Sequence, residues 1–211
     1  MSDLRVHKTK YINETKRVSF KYDGKNYFGY EGDTLASALL ANGVHLIGRS
    51  FKYHRPRGIM SCGSEEPNAI CQISDKNDLT EPNVRATELE IYDGLEAFSQ
   101  NCWPNVKFDI GGINNLISPL IPAGFYYKTF MWPKSFWKKV YEPLIRMSAG
   151  LGKSPTEPDP DIYDHKYVHY DVLVIGGGLS GIISAKIAAK SNLKTLLVAV
   201  SYTHLTLPTM M

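Results

Sequence analysis

Residues 17–43 read RVSFKYDGKNYFGYEGDTLASALLANG, and this stretch decides the fold of the first half of the chain. Residues 17–22 alternate between polar and apolar side chains, which is the pattern of a half-buried β-strand. The dipeptide Asp23-Gly24 favours a tight turn, and a second short strand is predicted over residues 26–30. The sequence therefore predicts a β-hairpin here.

A helix is predicted directly after the hairpin, over residues 34–42. Asp33 is the predicted N-cap, and Gly43 follows the helix at the position where a left-handed residue is favoured. Two further strands are predicted over residues 69–73 and 88–92. The order strand–strand–helix–strands is typical of a β-grasp domain, here over residues 17–100, and another small α+β arrangement is the alternative.

The composition of the whole chain limits its class. The 211 residues are 43% hydrophobic and carry a net charge of +3, which excludes a disordered chain and does not favour nucleic-acid binding. The polar arm over residues 1–16 has no signal-like apolar run, and the apolar stretch 112–127 is too short and too interrupted for a membrane helix. Only three cysteines are present, which favours a reducing compartment. We expect a cytoplasmic protein.

Residues 48–58 (GRSFKYHRPRG) form a basic loop in which Phe51 and Tyr53 lie among four lysines and arginines. Such a stretch could bind a phosphate or a nucleic acid. The alternatives are a solvated loop, or arginines that bridge to acids of a partner domain. With a net charge of only +3, we favour a structural or interface role.

The cysteines do not match a metal site. Cys62 and Cys71 are spaced C-x8-C and Cys102 lies beyond them, whereas a plant-type [2Fe–2S] site needs four thiolates. We therefore expect buried free cysteines and no iron–sulfur cluster. His165 and His169 have no third ligand beside them, so no metal site is predicted.

An aromatic, proline-rich connector is predicted over residues 101–152. Its helix is expected to run from Pro133 to about Ala149, and Pro143 should kink or break it. The residues on one face of this helix are Phe136, Val140, Leu144 and Met147. We expect this face to pack against a neighbouring domain, and stacking on a flavin ring is the alternative.

A linker over residues 153–169 leads to the clearest motif of the chain, within residues 170–200. A buried strand is predicted at 171–175, a helix from the glycine turn to about Ser191, and a second strand at 193–200. Between the first strand and the helix lies Gly-Gly-Gly-Leu-Ser-Gly, residues 176–181, which matches the dinucleotide fingerprint in its proper context.

Each glycine of the fingerprint has an expected role. Gly176 permits the tight turn, Gly178 lets the backbone approach a pyrophosphate, and Gly181 lets the helix pack closely on the strand. The alternative is a glycine-rich turn without a ligand. The acid expected about 20 residues further on, which would bind the ribose, is absent, because no Asp or Glu follows Asp171.

The end of the chain does not continue this pattern. One strand–helix–strand start is only part of a Rossmann-type domain, so we expect an incomplete one over residues 170–200. Residues 201–211 are interpreted as a tail foreign to the natural gene, and we expect this tail to pack on nothing.

From about residue 17 to residue 198, the chain resembles the N-terminal part of the alpha subunit of heterotetrameric sarcosine oxidase. The matching segments are residues 32–43, 48–58, 63–69, 122–133, 141–146 and 176–181. The resemblance implies a ferredoxin-like β-grasp domain that has lost its cluster, followed by a Rossmann-type dinucleotide-binding domain. Relatives that hold a cluster have C-G-x-G-x-C where this chain has residues 62–67, and only the first cysteine is present here.

The resemblance also implies a function. Family enzymes oxidatively demethylate sarcosine to glycine, with hydrogen peroxide and a one-carbon unit passed to folate as the other products. NAD is implied in the alpha subunit, at Gly176, Gly178 and Gly181, with FAD as the alternative there. FAD and FMN are implied in the beta subunit, and beta, gamma and delta subunits as partners.

No catalytic residue is expected in this part of the subunit, which alone should be inactive. Two alternatives remain open: a non-catalytic interaction module, or a subunit of a related flavin-dependent amine dehydrogenase or oxidase with a [2Fe–2S]-like domain.

Overall fold

The computed structural model describes residues 4–5, 11–74, 80–120, 124, 130–152, 155–156, 158 and 162–199. It divides the chain into two compact units, Met1–Glu157 and Pro158–Met211, which are described separately below. The tail at 201–211, with its expected lack of packing, and the larger part of the segment 153–161 lie outside the described residues. The domain division drawn from the sequence stays a prediction.

The first unit is built on a five-stranded mixed sheet. Its strands in sheet order are β2 (Lys25–Glu31), β1 (Asn13–Tyr22), β7 (Leu95–Ser99), β5 (Ile70–Ser74) and β6 (Thr80–Arg85). Strands β1 and β7 run parallel, and the other neighbours are antiparallel. A two-stranded ribbon joins β3 (Gly48–Arg49) to β4 (Pro56–Arg57). The sheet order, with a parallel central pair, agrees with the predicted β-grasp arrangement.

The hairpin between β1 and β2 forms as predicted. Asp23 and Gly24 both have positive φ, 46° and 72°, and Tyr22 pairs with Lys25 across the two-residue loop. Positive φ at both central positions is the conformation that matches the twist of the flanking strands, and Asp-Gly favours it.

Helix α1 (Leu35–Ala41) agrees with the predicted helix, but its N-cap is Thr34 rather than Asp33. The Thr34 hydroxyl accepts from the backbone N–H of Ser37, which satisfies one free amide of the first turn. Asp33 is fully buried and is bound by the guanidinium of Arg5 and by the backbone N–H of Tyr30, 2.9 Å away. The carboxylate is therefore used to fix the end of β2.

The core lies between α1 and the sheet. Leu35, Ala38 and Leu39 of the helix have no exposed surface. They pack with apolar residues of the sheet and of the flanking loops. These residues are Val18, Phe20, Tyr22, Ile47, Ala69, Cys71, Ile73, Ala86, Ile91, Leu95 and Ala97. Burial on this scale is the main stabilising contribution to the first unit.

The strand predicted at residues 88–92 is wrong. The backbone in and just before this segment instead bonds to the start of α1: the N–H of Leu35 donates to the carbonyl oxygen of Leu89, and the N–H of Ala36 donates to that of Ala86. The segment has the apolar alternation of a strand, but its backbone accepts a hydrogen bond from a free first-turn amide of the helix instead of pairing in the sheet. The sheet is completed by β6 and β7, which the sequence patterns did not reveal.

In its described residues, 101–120, 124 and 130–152, the connector is helical in short pieces. Its elements are a 3-10 turn (Ile110–Gly112), α2 (Ile113–Leu116), a second 3-10 turn (Ser118–Leu120), a π-helical turn (Trp137–Tyr141) and α3 (Glu142–Ala149). The predicted helix therefore begins at Trp137 rather than Pro133.

Pro143 occupies the first turn of α3, where its missing N–H is tolerated. Just before it, the helix changes from π-helical to α-helical hydrogen bonding. Gly150, with φ of 67°, follows the end of α3 at Ala149, the end that the sequence predicted. The expected packing of the apolar helix face on a neighbouring domain stays a prediction.

The second unit is a strand–helix–strand arrangement. Strand β8 (Val172–Ile175) pairs in parallel with β9 (Thr195–Val198), and α4 (Leu179–Lys190) connects them. The strand at 171–175 and the helix are confirmed, and the second strand is shorter than predicted. Within the described residues, every helix is too short or too polar to cross a membrane.

Candidate functional site

The glycine turn joins the C-terminal end of β8 to the N-terminal end of α4. Gly176 has φ of 107°, a conformation that side chains rarely adopt, and its N–H donates to the carbonyl oxygen of Val198, 2.7 Å away. The tight turn that was expected of Gly176 is therefore present, and it is attached to the end of the neighbouring strand.

Gly178 caps α4 with an extended backbone, φ of −69° and ψ of 175°. Its cap position carries no side-chain hydrogen bond, and the first-turn amides of Leu179, Ser180 and Gly181 have no carbonyl one turn earlier. A Cβ built on Gly178 would meet nothing within 4 Å. The backbone beside these amides is thus open to a ligand, and the helix end favours an anion.

Gly181 is required by packing. A Cβ built there would lie 1.9 Å from the carbonyl oxygen of Gly176 and 3.6 Å from Cγ1 of Val174. Only glycine lets the first turn of α4 approach the strand this closely, as the fingerprint predicts. The geometry therefore brings Gly176, Gly178 and Gly181 together in one turn, and their binding of a cofactor stays a prediction.

The ribose half of such a site has no acid in this chain. Ala199 is exposed and follows the end of β9, where the fingerprint expects Asp or Glu. Asp171 lies at the opposite end of the strands, where its carboxylate accepts from the backbone N–H of Lys194. The turn therefore has no carboxylate at the position where the fingerprint expects one to bind the ribose.

The three cysteines are in different surroundings. Cys71 is fully buried in the core, and burial raises the pKa of its thiol to about 12. Cys102 is partly buried, which raises its pKa, and its Sγ lies 3.2 Å from Oγ of Ser99. Cys62 is exposed, so the expectation that all three are buried is wrong. In the described part of the chain, no three His, Cys, Asp or Glu residues are grouped to hold a metal ion.

The basic loop at 48–58 has the structural role that its sequence favoured. The guanidinium of Arg49 donates to the carbonyl oxygens of His54, Val106 and Lys107. The loop therefore holds the start of the connector through hydrogen bonds to backbone carbonyls. Bonds of this kind leave no pattern in the sequence.

His54 is a second residue that the sequence did not single out. It is nearly buried, with φ of 52°, and its Nδ1 lies 2.7 Å from Oδ2 of Asp109. Its Nε2 lies 3.0 Å from the carbonyl oxygen of Ser148, at the end of α3. The pair joins the basic loop to two parts of the connector.

Comparison with known proteins supports the assignment of the first unit. Residues 15–102 match the family model described as a 2Fe-2S iron-sulfur cluster binding domain. This match, together with the sheet topology, confirms the predicted ferredoxin-like domain. The Rossmann-type prediction for the second unit stays a prediction.

Three curated relatives named sarcosine oxidase subunit alpha match this chain. The protein from Rhizobium meliloti (strain 1021) is 53% identical over 198 residues, which is 94% of this chain and 20% of that protein. The proteins from Corynebacterium sp. strains U-96 and P-1 are 30% and 32% identical over 188 residues, which is 88% of this chain and 14% of each.

One solved structure, a crystal structure of L-proline dehydrogenase from P. horikoshii, aligns with 86% of this chain and 24% of its own at 19% identity. Its TM-score of 0.41 is too low to support an argument about fold or function.

The chain spans 14–20% of the length of the curated relatives it matches. Over nearly all of its own length, the chain is similar to one part of the alpha subunit of sarcosine oxidase.

Proposed function

We propose that the turn at residues 176–181 holds the pyrophosphate of a dinucleotide, NAD or alternatively FAD, at the start of a Rossmann-type domain. The observation that carries the proposal is the open space over Gly178 beside the first-turn amides of α4. The tight packing of Gly181 against Gly176 supports it, because that contact serves to bring the helix end to the strand edge.

The residues of the turn would act through their backbone. The amides of Leu179, Ser180 and Gly181 would donate to phosphate oxygens, and the positive end of the α4 dipole would favour the negative charge. Gly178 would contribute by lacking a side chain where the phosphates approach. A bound dinucleotide would supply the capacity to accept or donate a hydride, and no residue of this chain is assigned a catalytic role.

We further propose that this chain serves in an alpha subunit of an oxidoreductase that demethylates sarcosine. Two electrons leave the N-methyl group of sarcosine and reduce oxygen to hydrogen peroxide, glycine is released, and the one-carbon unit passes to folate. FAD and FMN would be held by the beta subunit, and the beta, gamma and delta subunits would be the partners, in the cytoplasm. The names of the three relatives support this proposal.

A second candidate function is a docking module without catalysis, and the connector favours it. A subunit of a related flavin-dependent amine dehydrogenase or oxidase stays the other alternative. The connector side chains Trp103, Trp132 and Met147 are 69%, 82% and 72% exposed. Several large apolar side chains that stay exposed on one segment are typical of a surface that contacts another protein or domain.

The proposals are tested on the assembled complex that contains the whole alpha subunit. After denaturation, the released nucleotides are separated and identified, and we expect NAD in a 1:1 ratio to the alpha subunit, in addition to flavin. If no NAD is released, and one FAD per alpha subunit is released in addition to the flavins of the beta subunit, FAD is the nucleotide of the glycine turn. An alpha subunit that releases no nucleotide would contradict the proposed site.

The sarcosine proposal has a separate readout. The complex is supplied with sarcosine and oxygen, and we expect equal amounts of glycine and hydrogen peroxide. An assembled complex that holds its flavin and nucleotide and consumes no oxygen with sarcosine, but does so with another secondary amine, would favour the related amine oxidase. No turnover with any amine would favour the docking module.

A further inference from the structure

The loop that leads into β5 is closed around a single carboxylate. Glu66 is 1% exposed, and its two oxygens accept hydrogen bonds from the loop itself. Oε2 accepts from the backbone N–H groups of Met60 and Ser61 at 2.7 and 2.6 Å. Oε1 accepts from those of Asn68 and Ala69 at 2.8 and 3.3 Å. We call residues 58–69 the carboxylate loop.

The charge of Glu66 is stabilised by these amides. Burial alone would raise the pKa of the Glu66 carboxyl, but the amides of Ser61, Asn68, Met60 and Ala69 together hold that pKa below its ordinary value of 4.5. A carboxylate that accepts several backbone N–H bonds stays ionised in this way. The loop therefore contains a buried anion surrounded by convergent backbone donors.

The resemblance places the cluster motif C-G-x-G-x-C of its cluster-binding relatives at residues 62–67 of the same loop, within the part that matches a 2Fe-2S cluster binding domain. Such a cluster is an anion bound by four cysteine thiolates, and hydrogen bonds to its sulfurs come from the surrounding protein. This chain offers Cys62 alone within the loop, and Cys71, the next cysteine, is buried in the core at the following strand. Three cysteines cannot supply four ligands, so the residues present do not fit the cluster.

We propose that the Glu66 carboxylate takes the place of the cluster, as the internal anion around which the carboxylate loop folds. The backbone donors of the loop are satisfied by a charge that the chain itself supplies. The fold of the first unit then needs no iron, and the unit serves as a structural domain through which no electrons pass. The proposal is independent of what the glycine turn binds.

Replacement of Glu66 by glutamine is the direct test, because it places an NH2 group against one of the two pairs of backbone donors. The matched control is Glu65→Gln, which removes the same charge one residue away from an exposed side chain. In Glu66→Gln we expect amide hydrogen exchange at Met60, Ser61, Asn68 and Ala69 to be at least tenfold faster. We also expect the melting temperature to fall by about 5–10 °C.

For Glu65→Gln we expect both quantities to stay near those of the unaltered chain. Equal behaviour of the two variants would overturn the proposal. Two measurements on the unaltered chain keep the test decisive even if Glu66→Gln does not fold.

The first of these measurements is a carboxyl NMR titration, in which Glu66 should titrate below 4.5. The second is anaerobic incubation with ferrous iron and sulfide, followed by desalting, after which the chain should retain neither stoichiometric iron nor visible charge-transfer absorption. Titration of Glu66 at or above 4.5, or retention of two irons per chain, would overturn the proposal.

Discussion

The carbonyl oxygen of Gly176 lies 1.9 Å from the position that a Cβ on Gly181 would occupy. Gly181→Ala should therefore push α4 away from the turn, at a cost of about 1–3 kcal/mol, as for other overpacked sites. We expect faster amide exchange in β8 and α4, measured by mass spectrometry on the 211-residue chain.

Gly178→Ala is the matched control for this substitution. Its φ of −69° suits any residue, and its Cβ would meet nothing within 4 Å. Exchange in α4 should change far less than in Gly181→Ala. Similar effects of the two variants would contradict the packing role assigned to Gly181.

Acid should destabilise the first unit through Glu66. The pKa of this carboxyl is lowered in the folded state, so its contribution to stability is fully present above the unfolded-state value of 4.5 and is lost as the pH falls through the folded-state value. The difference in urea midpoint between the unaltered chain and Glu66→Gln should shrink below pH 4.5. A difference that is constant from pH 7 to pH 3 would contradict this linkage.

The buried pair of His54 and Asp109 should contribute more to the free energy of unfolding than an exposed ion pair does. Asp109 accepts from His54 and from the backbone N–H groups of Trp103 and Gly111, and its side chain is 1% exposed. Asp109→Ala leaves these donors unpaired, and we expect a loss of about 2–3 kcal/mol in the free energy of unfolding.

The exposed pair of Glu142 and Arg146 on α3 provides the comparison. Glu142→Ala should cost about 0.5 kcal/mol or less, because such pairs are screened by solvent. Chemical denaturation of both variants measures the two losses. Equal losses would show that the His54 pair does not hold the connector.

The cysteines should differ sharply in reactivity. Cys62 is exposed, whereas Cys71 is fully buried and its pKa of about 12 leaves almost no thiolate at neutral pH. Brief alkylation of the native chain with iodoacetamide, followed by peptide mass mapping, should label Cys62 and leave Cys71 unmodified. Rapid labelling of Cys71 would contradict its position in the core.

Local pattern was sufficient to predict the elements that depend on short-range physics. The hairpin follows from Asp23-Gly24, and the strand–turn–helix of the second unit follows from the glycine spacing at 176–181. In each, the conformation is dictated by residues adjacent in sequence, which is the information that periodicity and turn preferences contain.

Features that depend on distant partners were missed. The segment 88–92 has the alternation of a strand, yet its neighbourhood bonds to the start of α1. Asp33 is a good N-cap by type, yet Arg5, 28 residues away in sequence, binds it. Glu66 carries no spacing signal, because its partners are backbone amides that any residues could provide.

Nucleotide titration of the chain measures how much affinity the glycine turn provides by itself. The 211-residue chain should bind NAD or FAD more weakly than micromolar. The ribose carboxylate is absent, which alone removes a hydrogen bond worth about 0.5–1.5 kcal/mol. Micromolar binding by this chain would show that its site is more complete than the turn alone.

The decisive comparison uses the whole alpha subunit, freed of its nucleotide, with and without a valine at the position of Gly178. Calorimetric titration with NAD, and separately with FAD, gives the affinity of each protein. We expect the unaltered subunit to bind one of these nucleotides and Gly178→Val to abolish this binding, because the added side chain occupies the space of the pyrophosphate. Equal affinity of the two proteins would contradict this expectation.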